Sequence, residues 1–226
     1  MAQPLPLNFT TTACCRPEVI QITYASFKEK LRDVDWGRST IFLNIDPVPT
    51  DRVGRREAVI DVAKRTFGNV VVNQPETANF TAALKWCWTQ QQNDVFFNLE
   101  DDWTMTKRVS VYELKYLLQG DVVIINLRAY KSIRDNRLCL SPGIVNGRWA
   151  RDVATRLDIN YNPEQQLQGH TADNECGGIS DPKYLGMQFP ICPNRNYVLD
   201  QGRAWLKQQG NAKNGDRFNF TTWVKS

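Results

Sequence analysis

The chain of 226 residues contains a single histidine, His170, and none of its six cysteines (Cys14, Cys15, Cys87, Cys139, Cys176 and Cys192) stands in a C-x-x-C pair. That supply of ligands argues against a structural zinc site. No apolar run approaches the roughly 20 residues of a membrane span, and residues 1–9 lack the basic start and apolar stretch of a signal peptide. The sequence therefore reads as that of a soluble, cytosolic protein with reduced thiols and no membrane partner. On that reading the three Asn-Phe-Thr triplets, at Asn8, Asn79 and Asn219, are coincidental matches to the glycan-acceptor pattern. Internal repeats, low-complexity tracts and a linker are also missing, so the chain is read as one unit.

What is present suits a compact α/β domain. Hydrophobic residues make up 42% of the chain and aromatic residues 11%, enough for one substantial core. The 28 basic and 24 acidic side chains leave a formal charge of +4. That mild excess suits a polyanionic partner without requiring one.

Over residues 1–130, short β-branched or aromatic runs alternate with longer amphipathic segments, the pattern of strand and helix units around a mostly parallel sheet. Strands are predicted at Leu7 to Thr12, Thr40 to Ile45, Val70 to Asn73, Val95 to Leu99 and Val122 to Leu127. Helices are predicted from Pro17 to about Leu31, Arg55 to Phe67, Asn79 to Gln91 and Ser110 to Leu118. Pro17 suits a first helical turn. The unbroken apolar runs at 70–72 and 122–125 predict strands covered on both faces. After Tyr130 the pattern is irregular, with a helical stretch near Trp149 to Leu157, a short helix opened by Pro163, a long Gly- and Pro-rich loop over 169–193 and a last helix at Tyr197 to Gln208. Trp223 near the end predicts a C-terminus that packs down and a complete domain.

The sharpest feature is Val95-Phe96-Phe97-Asn98-Leu99-Glu100-Asp101-Asp102-Trp103, where an apolar strand runs into three consecutive carboxylates. Their mutual repulsion at a buried strand end is offset by a cation or by hydrogen-bond donors from a ligand, and the end of a parallel strand is where open α/β sheets bind ligands. A hard ion such as Mg²⁺ or Mn²⁺ takes few carboxylates and completes its shell with phosphate oxygens. Read alone, the cluster serves equally well as an acidic N-cap, with Asp102 leading a helical turn.

Glu100-Asp101-Asp102 after an apolar fourth strand resembles the Asp-x-Asp signature of GT-A-fold glycosyltransferases. Thr10-Thr11-Thr12 with Arg16-Pro17-Glu18 is similar to the first strand and helix of that fold, and Leu43-Asn44-Ile45-Asp46 to its second strand end. Leu140-Ser141-Pro142, Asn162-Pro163-Glu164-Gln165-Gln166-Leu167 and Asp200-Gln201-Gly202-Arg203-Ala204-Trp205 resemble elements of small virus- and phage-encoded members. The resemblance implies a single GT-A-like, Rossmann-type domain over 1–226, with a nucleotide-sugar-binding half (1–130) and an acceptor-binding half (131–226). It also implies a metal-dependent transfer of sugar from a nucleoside diphosphate sugar, a UDP-sugar first, to a hydroxyl acceptor. That acceptor is a glycan or glycoprotein, or a hydroxymethylated base in viral DNA, which would use Arg134, Arg137, Arg148 and Arg151.

Carried over residue by residue, the resemblance implies that Asp102 binds Mn²⁺ or Mg²⁺, that Glu100 and Asp101 contact the ribose and base, and that Thr12, Arg16 and Asp46 complete the nucleotide pocket. Asn79 either caps the following helix or reaches the nucleotide. Glu164 is the candidate general base, or else a first-turn glutamate favoured by the helix dipole. His170 is a further candidate metal ligand or an ordinary loop residue, with Asp173 and Glu175 as rivals for both jobs. Arg16 or Arg56 would assist the leaving diphosphate, and Trp149, Trp205, Trp223, Tyr130 and Tyr161 offer stacking surfaces in the acceptor half. Two other classes stay open. A nucleotidyltransferase is disfavoured by the lack of a Gly-rich phosphate loop with a following lysine, and a non-catalytic nucleotide- or nucleic-acid-binding module would use the acidic cluster only as a cap.

Overall fold

The computed structural model describes residues 3–48, 54–129, 139–167, 187–190, 195–208, 211–214 and 222–225. Strands β1 (Asn8–Cys14), β3 (Thr40–Asp46), β4 (Asn69–Asn73) and β5 (Val95–Asn98) alternate with helices α1 (Pro17–Lys30), α2 (Arg55–Thr66) and α3 (Phe80–Gln90). After β5 come β6 (Trp103–Met105), α4 (Val111–Leu117), β8 (Val122–Asn126), β9 (Gly143–Asn146), α5 (Gly147–Arg156) and α6 (Pro163–Leu167). The chain then contributes β10 (Met187–Pro190), β11 (Val198–Asp200), α7 (Gly202–Gln208), β12 (Asn211–Asn214) and β13 (Thr222–Lys225), while β2 (Leu31–Arg32) and β7 (Val109–Ser110) are two-residue pairs.

The central sheet has seven strands in the order β10-β8-β9-β5-β1-β3-β4. Only β9 runs against the others, antiparallel to both β5 and β8. Thus β1, β3, β4 and β5 form a parallel half-sheet reached by helical crossovers, as the alternating pattern predicts.

The two faces are read off adjacent residues of one strand. Phe97 joins the core under α1 and α2 with Phe9, Tyr24, Phe27 and Phe67, while Phe96 joins the core under α3 and α5 with Leu84, Trp88 and Ala150. Period-two alternation puts these neighbours on opposite faces, and both are fully buried,. On the first face Phe9 stacks on Trp36 at 5.0 Å between ring centroids and lies 5.0 Å from Phe67.

Several expectations are corrected. β4 is not covered on both faces: it is the sheet edge, with Val71 exposed and Val70 and Val72 half-buried, because an unbroken valine run does not distinguish a central strand from an edge. The run at 122–125 is buried at Val123, Ile124 and Ile125 as predicted. β9 was hidden in turn signals, since Gly143 follows Ser141-Pro142. A side chain there would overlap the Ile125 carbonyl oxygen at 2.3 Å, so glycine permits the close strand approach. β10 lies inside the expected loop, and the predicted last helix begins only at Gly202, its first residues instead forming β11.

Candidate active site

At the C-terminal edge of the parallel strands, β1 and β3 end together, with Cys14 beside Asp46 in register. β5 stops four residues earlier, with Asn98 beside Thr10, and the Leu99 N–H donates to the Thr10 carbonyl at 2.8 Å. The acidic run therefore continues alongside the end of β1 and turns there into β6. Asp102 leads into a strand, so its reading as a helix cap is set aside.

The three carboxylates have different partners. Asp101 is buried, and its Oδ1 accepts from Arg16 Nη2 at 2.5 Å while its Oδ2 accepts from Arg16 Nε at 3.3 Å and from the Cys14 backbone N–H at 2.9 Å. Its carbonyl accepts from the Thr23 hydroxyl at 2.8 Å. Asp102 Oδ2 lies 3.2 Å from Arg16 Nη2, and its side chain keeps 15% of its surface exposed against 5% for Asp101. Glu100 Oε2 accepts from Trp103 Nε1 at 2.7 Å. The repulsion inferred from sequence is thus met in part by the chain's own cation. Burial pulls the Arg16 guanidinium down, but Asp101, with Cys14 and Asp102, outweighs it and holds the group charged above its ordinary value,.

Arg16 itself is buried, at the N-cap position of α1, where its side chain makes no cap bond. Pro17 follows it and lacks the first amide hydrogen, so a capping side chain is less needed. Arg16 and Asp101, both assigned to the nucleotide pocket by the resemblance, pair with each other. Asn79 realises the cap, its Oδ1 accepting from Ala82 N–H at 2.9 Å while its Nδ2 donates to the Ile159 carbonyl at 3.0 Å. Thr12 is half-buried in β1 beside Asn44 of β3. Asp46 accepts from Asn44 Nδ2 at 2.8 Å, and Asn44 in turn accepts from Asn73 Nδ2 at 2.6 Å.

Glu164 opens α6, and its Oε1 accepts from the Leu140 N–H at 2.9 Å. The Leu140 carbonyl accepts from Asn98 Nδ2 at 2.8 Å, so one residue links Glu164 to the strand that delivers the acidic run. The Cys139 thiol is pushed up to about 11 by burial and next by Glu164, with Glu100 adding weakly. His170, Asp173, Glu175, Tyr130, Arg134 and Arg137 lie outside the described residues, as does the Trp223 side chain.

Sequence reasoning missed the return of the C-terminal segment onto this edge. The Tyr197 N–H donates to the Leu127 carbonyl at 2.9 Å, β11 pairs antiparallel with β6, and the Gln201 N–H donates to the Asp102 carbonyl at 2.8 Å. The Trp205 ring then lies 5.6 Å from the Arg16 guanidinium carbon, within cation–π range. The signal available in the sequence was Gly202, an isolated glycine inside the helical pattern predicted over 197–208, which weakens a continuous helix there.

Among the described residues, no group of three His, Cys, Asp or Glu side chains is placed to hold a metal ion. The donors at this edge are the partly exposed carboxylates of Asp102 and Glu100. One or two carboxylates completed by substrate phosphates is how Mg²⁺ is commonly held, and the donor chemistry fits that mode. No helix among the described residues is long and apolar enough to cross a membrane.

The mostly parallel sheet flanked by helices is the architecture of the GT-A fold. Staphylococcus aureus TarS superposes with a TM-score of 0.56 at 10% identity, over 85% of this chain and 36% of that one. TarS 1–349 in complex with UDP gives 0.54 at 10% identity, covering 85% and 59%. The mannosyltransferase PcManGT from Pyrobaculum calidifontis, in complex with GDP-Man and Mn²⁺, gives 0.51 at 12% identity, covering 93% and 63%. The chain thus spans between about a third and two thirds of the length of these proteins, and identities this low show a shared fold. No protein-family model matches the sequence, and no curated protein matches it.

Burial raises the Asp46 carboxyl above its ordinary value, against the lowering effects of the Asn44 hydrogen bond, the Asn79 backbone N–H and Arg56. An acid raised on folding holds more protons in the folded than in the unfolded state between the two values, so its contribution to stability falls as pH rises through that window. Asp46→Asn, neutral at every pH, is expected to melt higher than the parent at neutral pH and to lose that advantage as pH falls below the window. Melts of both proteins from acidic to neutral pH check this, and an advantage that grows towards acid would contradict it.

Proposed function

We propose that the chain is a glycosyltransferase that moves a sugar from a nucleoside diphosphate sugar to a hydroxyl acceptor. The observation that carries this reading is the division of labour between two adjacent carboxylates at the end of β5. Asp101 is locked by Arg16 and the Cys14 N–H, while Asp102 stays partly exposed on the same edge. Asp102 would hold Mn²⁺ or Mg²⁺, which when bound neutralises the charge that develops on the leaving diphosphate. Arg16 and Asp101 serve that carboxylate by fixing its turn. Thr12 and Asp46 face the nucleoside, with Glu100 nearer the ribose. The UDP complex of TarS 1–349 and the GDP-Man and Mn²⁺ complex of the mannosyltransferase support a nucleoside diphosphate sugar as donor, and a UDP-sugar is the first choice. The acceptor is a glycan or glycoprotein, or a hydroxymethylated base in viral DNA.

Thermal melts with UDP, GDP, CDP and dTDP, each with and without Mn²⁺, test the reading. Metal-dependent stabilisation by one diphosphate is expected, because a ligand that binds only the folded state raises its melting temperature. Absence of metal-dependent stabilisation by all four would favour a non-catalytic nucleotide- or nucleic-acid-binding module.

If Glu164 takes the acceptor proton, Glu164→Gln keeps an oxygen for the Leu140 N–H yet removes the base. It is then expected to lower kcat by about 10²-fold, at the lower end of general-base contributions, with donor affinity unchanged. A loss below about fivefold on a preparation with normal donor affinity would leave Glu164 with its link to Leu140 alone.

A further inference from the structure

Gly202 begins α7 immediately after β11, and the ladder between β11 and β6 brings its backbone against Asp102. A Cβ built on Gly202 would stand 2.0 Å from Asp102 Oδ2, 2.8 Å from Cγ and 3.2 Å from Cβ. Contacts that short require the carboxylate to move. The oxygen met first is the one that lies 3.2 Å from Arg16 Nη2.

The backbone at Gly202 gives no other reason for glycine. Positive φ among the described glycines occurs at Gly54 and Gly120, not here, so the backbone conformation does not call for glycine. The Gly202 N–H donates to Asp200 Oδ1 at 2.9 Å, a bond that any residue except proline would make equally well. What the missing side chain provides is room for the Asp102 carboxylate.

We propose that Gly202 is a positioning residue, the seat that fixes the Asp102 carboxylate in the orientation used by the diphosphate donor and its metal ion. This rests on the glycosyltransferase reading for the ligand. The geometry of the seat is independent of it. The segment that carries Gly202 is anchored on both sides, by the Gln201 N–H on the Asp102 carbonyl and by Trp205 over Arg16. A residue larger than glycine therefore displaces the carboxylate rather than the strand.

The test uses the full chain in four forms: the parent, Gly202→Ala, Asp102→Ala and the double variant. Without ligand, Gly202→Ala is expected to lower the melting temperature in the parent background and to have clearly less effect once Asp102 is truncated, since neighbours that clash do not add. With Mn²⁺ and UDP as probes, Gly202→Ala is expected to lose most of the parent's metal-dependent stabilisation. Where transfer is measurable, kcat/KM should fall about 10²-fold, the cost of a misplaced group at a reacting centre. Equal melting losses in both backgrounds would overturn the seat. A coupled loss with Mn²⁺ and UDP binding left at the parent level would overturn its role towards the ligand. If the parent itself responds to no nucleoside diphosphate with Mn²⁺, the glycosyltransferase reading fails and takes the ligand role with it, while the four ligand-free melts still report the seat.

Discussion

Arg16→Ala is expected to cost the folded state about 3–5 kcal/mol, the typical consequence of removing one partner from a buried ion pair. Both side chains are almost wholly enclosed, at 3% exposure for Arg16 and 5% for Asp101. Alanine would leave the Asp101 carboxylate facing the Cys14 N–H at 2.9 Å without the guanidinium that balances its charge. A buried carboxylate loses its hydration without the compensating charge, and that outweighs whatever the pair contributed on balance. The resemblance alone implies a different result, a raised donor KM from a lost phosphate contact. Urea unfolding of Arg16→Ala, Asp101→Asn and the double variant separates the two. A neutral Asp101→Asn should rescue much of the loss, so the double variant should be more stable than the sum of the singles predicts. A cost under about 1 kcal/mol for Arg16→Ala, as an exposed pair would give, would show that the guanidinium is not what holds Asp101.

How much of this was legible in the sequence differs by element. The parallel half of the sheet follows from local signals: Pro17 opening α1, the apolar runs of β1, β3 and β5, and the helical segments between them, each self-contained within a few turns,. β9 did not show, because Gly143-Ile144-Val145-Asn146 is too short and too close to Ser141-Pro142 for its period to register, and its place in the sheet is fixed by β5 and β8 rather than by its own propensity,. The acidic run at the strand end was legible as a candidate site, but the partition of contacts within it was not. Which of Asp101 and Asp102 meets Arg16 more fully depends on where a turn places two adjacent side chains, and sequence spacing carries no such information. Nor could any local rule bring Gly202 to Asp102 across 100 residues; that contact exists only because β11 adds to β6. Asn79 is the opposite case. Its cap onto the Ala82 N–H lies three residues away and is set by α3 itself,.

Asp102→Asn is expected to remove transfer almost completely while leaving the fold nearly untouched, and this contrast is what distinguishes Asp102 from its neighbour. Asparagine keeps the size of the side chain and an oxygen facing Arg16, which retains its two bonds to Asp101. The ligand-free melting temperature should therefore shift by no more than about 2–4 °C, the equivalent of about 1 kcal/mol in a chain of this size. The lost charge matters elsewhere. If the Asp102 carboxylate holds the ion that neutralises the leaving diphosphate, its removal takes away several kcal/mol of transition-state stabilisation, on the order of a 10³-fold loss or more in rate. The metal-dependent stabilisation by UDP should vanish with it. Asp101→Asn should show the reverse pattern. It loses the charge that matches Arg16 in a buried site, so its melting temperature should fall well before any donor is added. Measuring ligand-free melting, UDP stabilisation with and without Mn²⁺, and transfer on both variants gives each carboxylate its own signature. Retention of transfer within tenfold by Asp102→Asn, or the same signature for the two variants, would mean that the exposed carboxylate carries no charge-dependent role and that the acidic run serves the fold alone.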